Sequence, residues 1–127
     1  MLENMLLNIE KKLRESNLID LDEVQIILNG YLKHLSNNSY LRAGKIMEKI
    51  DCDVNLAYKL ITLIEDLGYV RPVYSLYCNG CRQEQTKEYE VYTDVPKEAV
   101  CQTVDCDLDL NFKNDLLVLF KVVYSDD

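Results

Sequence analysis

The chain has 127 residues, 48% of them hydrophobic, which suits one domain or two small modules sharing a contact and is enough to build a core, so the chain need not be disordered. Its 14 Lys and Arg against 22 Asp and Glu give a formal net charge of −8, a sign that opposes non-specific attraction to phosphate backbones. The acidic excess is not confined to a tail, since residues 1–70 hold 8 basic and 11 acidic side chains and residues 71–127 hold 6 and 11.

The N-terminal "MLENMLLNIEKKLRESN" has no basic n-region or small-residue cleavage site, so it does not read as a signal peptide. Its Leu2, Leu6, Ile9 and Leu13 form one helical stripe. If this helix lies outside the bundle, its apolar residues offer a surface for self-association. Asp20 followed by Glu23 is a capping box, in which each side chain satisfies a backbone N–H of the other. Val24, Ile27, Leu28, Tyr31, Leu32 and Leu35 then repeat at helical spacing until "SNNS" breaks the helix and offers Ser39 as the next cap. His34, the only histidine, sits near that helix's C-terminus, where it complements the helix dipole.

"YLRAGKIMEKI" places Leu41, Ile46, Met47 and Ile50 on one face, and Asp53 caps a following helix with Leu56, Leu60, Ile61, Ile64 and Leu67. Gly68 suits the left-handed residue that ends a helix. "YVRPVYSLYC" then turns to β-branched and aromatic residues, with Pro72 tolerated at a strand's edge or start. "EYEVY" at 88–92 alternates, as do Leu108, Leu110 and Phe112. "KND" at 113–115 is turn material, and "LLVLFKVVY", too short for a membrane-spanning helix, fits a buried strand. The expectation is an α+β protein, with a helical module over 1–76 and a small antiparallel β module over 77–127.

The cysteines carry the chemistry. Cys78-x₂-Cys81 and Cys101-x₄-Cys106 are four thiols in two turns, and Asn79-Gly80 suits the first because both residues tolerate positive φ. In a reducing, cytoplasmic setting such pairs bind metal more often than each other. Four thiolates around Zn²⁺ would leave no coordination position open and take the formal charge from −8 to about −10. Asp105 or Cys52 could replace one of the second pair, and the same cysteines could instead pack as small hydrophobes. A redox role for the C-x₂-C is disfavoured because the motif does not open a helix. With one histidine and no recognisable acid/base pair, an enzyme with a small-molecule substrate is not expected.

"AGKIMEKIDCDVNLAYKLITLIEDLGYV" resembles the winged helix-turn-helix family over roughly residues 20–77: a small residue in the first helix, a compact turn, and a helix ending "LGYV" into the wing. The cysteine pattern resembles a zinc ribbon, departing from it in the longer second loop. The two in succession resemble the alpha subunit of transcription factor E over roughly residues 20–110. That resemblance implies a module that bridges larger assemblies without reading sequence. As a DNA reader the chain would use Arg42, Lys45, Asn55, Lys59 and Arg71, although its second helix holds no arginine and ends in Glu65 and Asp66. Arg42, Lys45 and Lys49 also fit an ordinary solvated face. Nine tyrosines, five of them at 69–92, suit either a protein partner or the covering of a small sheet. The reading is therefore an interaction subunit with a structural Zn²⁺ and no membrane segment, and the alternative is a DNA-binding regulator.

Overall fold

A computed structural model describes residues 1–124 as a mixed α+β protein. The helices α1 (Glu3–Ser16), α2 (Leu21–Gly30), α3 (Ala43–Ile50) and α4 (Val54–Asp66) precede most of the strands. The strands are β1 (Tyr40–Leu41), β2 (Val70–Cys78), β3 (Gln83–Glu84), β4 (Glu98–Val100), β5 (Asp109–Asn111) and β6 (Leu116–Val122), with the one-turn helix α5 (Phe112–Asp115) before β6. The chain divides into two compact units, one of residues 1–71 with the segment from Phe120 onward, the other Pro72–Leu119. The expected module boundary between residues 76 and 77 falls inside β2.

In the first unit, α1 packs on α2 and α4, and α3 packs on α2 and α4. The core is aliphatic, with Ile9, Val24, Leu32, Ile46, Ala57, Leu60, Ile61 and Ile64 all at 1% exposure or less. Burial of this kind stabilises by roughly 1.5–3 kcal/mol per large side chain, before the conformational entropy it must offset. Asp20 and Glu23 form the expected capping box, Asp53 accepts from the Leu56 N–H at 2.8 Å, and Gly68 adopts φ 84°. The strand order in this unit is β1-β6-β2: Tyr40 pairs with Lys121, Leu41 with Phe120, and the Val123 N–H donates to the Tyr69 carbonyl.

Several local expectations are corrected. The apolar stripe of α1 is Met5, Ile9 and Leu13, while Leu2 lies before the helix and is exposed. α2 ends at Gly30, and a 3₁₀ turn over Leu32–His34 carries His34 instead of a continuing helix. The break is stabilised from outside, because the half-buried Tyr31 hydroxyl accepts the Arg42 N–H at 2.9 Å. Burial raises the Tyr31 pKa, which that hydrogen bond and the Arg42 charge only partly oppose. Ser39 does not cap α3: its hydroxyl donates to the Ser36 carbonyl, β1 intervenes, and the N-cap is Arg42.

In the second unit β2 pairs with β3, and β4 pairs with β5, both antiparallel. Residues 88–92 do not form a strand. Only Tyr89 bridges to Tyr74, and the chain turns into a 3₁₀ segment at Tyr92–Asp94. Tyr92 is held by ring contacts, its centroid 6.1 Å from Tyr74 and 6.4 Å from Phe112, so it does not need the ladder. The stretch from Gln85 to Tyr89 still runs along β2, because the buried Ser75 hydroxyl donates to the Gln85 and Lys87 carbonyls and the Gln85 N–H donates to the Leu76 carbonyl.

Asp53→Ala should lower the stability of the helical unit by about 1 kcal/mol through loss of the cap, and Leu60→Ala by about 2–5 kcal/mol through a core cavity. Urea denaturation followed by far-UV circular dichroism measures both. Equal costs for the two would contradict the burial pattern.

Candidate metal centre

Four thiols converge in the second unit. The ligand atoms of Cys78, Cys81, Cys101 and Cys106 all lie within 4.8 Å of one another. Cys78 ends β2, Cys81 follows its turn, Cys101 follows β4, and Cys106 closes the loop before β5. Two edges of the group run between the turns, Cys78 to Cys106 and Cys81 to Cys101, each 3.6 Å. Metal–sulfur bonds of about 2.3 Å place the corners of a regular tetrahedron about 3.8 Å apart, so these edges fit one cation bound by four thiolates. Neither Asp105 nor Cys52 belongs to the group.

The first turn does not use positive φ at Asn79 or Gly80. The left-handed residues are Arg82 (φ 58°), just after Cys81, and Asp105 (φ 64°), just before Cys106. A Cβ at Gly80 would meet the tip of the exposed Leu108 side chain, 2.0 Å from its Cδ1, which would have to swing aside, and would lie in ordinary contact with the Cys78 sulfur at 3.7 Å. In the second turn the Cys106 N–H donates to the Thr103 carbonyl at 3.1 Å, so Gln102 lengthens the loop ahead of a four-residue turn ending at Cys106. This is how C-x₄-C reaches the same corner arrangement as a shorter spacing.

Backbone and side-chain donors surround the sulfurs. The Gln85 Nε2 donates to the Cys101 sulfur at 3.4 Å, and its Oε1 accepts the Gln102 N–H at 2.8 Å. Gln85 thus ties the second cysteine turn to the stretch along β2, a role with no local signature in the sequence. A hydrogen bond from the Thr103 side chain, aided by its backbone N–H and by the neighbouring thiols, pulls the Cys101 thiol down to about 6 despite burial. For Cys106 a hydrogen bond from the Leu108 N–H lowers the pKa, but burial and the neighbouring thiols outweigh it and push it up to about 12. Four adjacent sulfurs do not all ionise by themselves; a divalent cation among them would reverse that balance. Cys52, in the α3–α4 turn, is pushed up by burial and by the charges of Asp53 and Glu23, so it is not an activated thiol.

The candidate nucleic-acid residues all lie in the first unit and are all exposed. Asn55 and Lys59 line one shallow surface pocket on α4 with Leu18, Tyr58, Thr62 and Leu63. Arg42, Lys45 and Arg71 do not line it. The Arg42 guanidinium lies 5.4 Å from the centre of the Tyr40 ring, Lys45 reaches Glu48 at 3.5 Å, and Arg71 lies on β2. His34 is exposed at the end of its 3₁₀ turn. Among the described residues no helix is long and apolar enough to cross a membrane. No protein-family model, no curated protein and no solved structure matches the chain.

Gln85→Ala should weaken metal binding by about 10–100-fold while leaving all four ligands in place. Competition against a chromophoric chelator measures it, and unchanged affinity would show that the amide does not support the site. Acidification should release the metal as protons displace it from the sulfurs.

Proposed function

We propose that the chain is a non-enzymatic interaction subunit of a larger assembly, built on a winged helix and a structural Zn²⁺ held by Cys78, Cys81, Cys101 and Cys106. The four-sulfur group favours zinc or iron by its softness and tetrahedral fit. Zinc, with no redox chemistry of its own, suits a site whose four positions are all taken by protein. The order β1-β6-β2 beside α2, α3 and α4 supports the winged-helix reading. In that reading the wing strands are β2 and β6, and residues 79–115 form the connection between them.

The exposed face of α4 carries the choice of partner. It presents Val54 and Tyr58, 45% and 46% exposed, beside Asn55, Lys59 and Thr62. One cation with an aromatic and an aliphatic side chain suits a protein surface better than a phosphate backbone. The net charge of −8 points the same way. The alternative, a DNA-binding regulator, draws on the same helix with Arg42, Lys45 and Arg71 supplying phosphate contacts.

Tagged, metal-replete protein should co-purify a protein partner from its native host without nucleic acid, and Tyr58→Glu should abolish that partner while leaving the metal content at one per chain. Retardation of duplex DNA that weakens steeply with salt and is lost on Lys59→Ala would overturn the interaction reading in favour of the regulator. Metal content at or near zero, with five freely reactive thiols, would remove the zinc from it.

A further inference from the structure

The β4–β5 ribbon has two edges, and on each a side chain covers one outward backbone group. The Phe112 N–H donates to the Lys97 carbonyl and the Cys101 N–H to the Leu108 carbonyl. With Ala99 opposite Leu110, the alternation of an antiparallel pair turns the backbone groups of Lys97, Ala99 and Cys101 toward β5. Those of Glu98 and Val100 therefore point away from it. On the β5 side the outward Asn111 N–H is covered, donating to the Asp115 Oδ2 at 2.8 Å. On the β4 side no further strand pairs among the described residues. The Val100 carbonyl accepts from the Gln102 Nε2 at 3.2 Å, which leaves the Val100 N–H and both Glu98 groups facing outward.

Beside β4 lies a pocket of about 370 Å³, lined by Leu76, Tyr89, Pro96, Ala99, Val100 and Leu110 among others. Its apolar lining includes the nearly buried Leu76 and Leu110, and Gln85 and Lys87 stand at it from the stretch along β2. Gln85 and Gln102 hydrogen-bond to each other, so the two sides of the pocket are fixed relative to each other by the residues that support Cys101. Residues 72–119 carry four Lys and Arg against nine Asp and Glu, and Glu98 and Asp109 on the ribbon are both exposed.

The geometry points to β4 as a docking edge for an extended peptide segment of a partner protein, which adds as a strand, places one apolar side chain in the pocket and carries basic residues beside that anchor. An unpaired strand edge supplies main-chain hydrogen bonds that only another extended backbone satisfies in series, and a neighbouring side-chain pocket supplies selectivity. The acidic surroundings select the basic flanks. Because Val100 directly precedes Cys101, the edge is set by the four-thiol group. The inference rests on the interaction reading above and names the partner's form.

The test uses the full zinc-loaded chain and a displayed library of random peptides. Selected peptides should share an apolar residue flanked by Lys or Arg. Val100→Pro removes an outward N–H without touching a β4–β5 hydrogen bond, so it should weaken them by about tenfold or more while metal content stays at one per chain. Should that variant lose its metal, N-methylation of alternate peptide amides tests the same hydrogen bonds on the unaltered protein, with the same expected loss. Failure to select any peptide would overturn the inference, as would peptides indifferent to Val100→Pro and to methylation. A native partner that co-purifies equally with wild type and Val100→Pro would overturn the docking edge yet leave the interaction reading standing. Binding of DNA alone would remove that reading as well.

Discussion

The convergence of four thiols from two turns is the constraint on which the second unit depends. Its hydrophobic cluster has five buried members, Leu76, Cys78, Val95, Cys101 and Leu110, and two of them are cysteines of the group. A core of that size stabilises little by burial alone, and small modules of this kind rely on a covalent or metal cross-link. The sulfurs serve both purposes here. They fill the cluster as small hydrophobes, and around one cation they would cross-link turns twenty or more residues apart. The opposed pKa shifts of Cys101 and Cys106 reflect how closely the thiols are held: ionising one sulfur makes its neighbours harder to ionise.

What the sequence discloses follows from how local each determinant is. The capping box at Asp20 and Glu23, the cap at Asp53 and the left-handed Gly68 each depend on residues a few positions apart, and all three are read from short windows. The helical stripes of α2 and α4 are equally local. Cys78-x₂-Cys81 marks itself for the same reason, and all four thiols are found together. The features that escaped depend on distant partners. β1 is two residues long and exists because Tyr40 and Leu41 pair with Lys121 and Phe120. Tyr92 alternates like a strand residue but is fixed by rings at 74 and 112. Gln85 looks like any polar loop residue until Gln102 and Cys101 arrive beside it.

The conformation of the cysteine turns shows where residue-type rules give out. Asn-Gly tolerates positive φ, yet the turn puts the left-handed residue at Arg82, which bears the larger cost for an L side chain. Asp105 in the second turn is a residue that adopts this conformation more readily. At Gly80 the second turn comes close, since the Leu108 side-chain tip reaches the space a Cβ would occupy and would have to move aside for one. The two turns are thus in contact at Gly80, whose own φ is not left-handed.

That contact also bears on what the unit presents to solvent. The residues that close the thiol group are the ones that border β4: Cys101 follows it, Gln102 covers the Val100 carbonyl, and Gln85 joins Gln102 to the stretch along β2. A change in the sulfurs would move the strand's last residue and the pocket's rim together, since no flexible segment lies between Val100 and Cys101. On α4, by contrast, the exposed face rests on an aliphatic core that contains no cysteine of the group. The two candidate contact surfaces are thus supported by different physics, one by the geometry of the four thiols and one by apolar burial, and stripping a bound cation should separate them: α4 keeps its face while β4 loses the tether at Cys101.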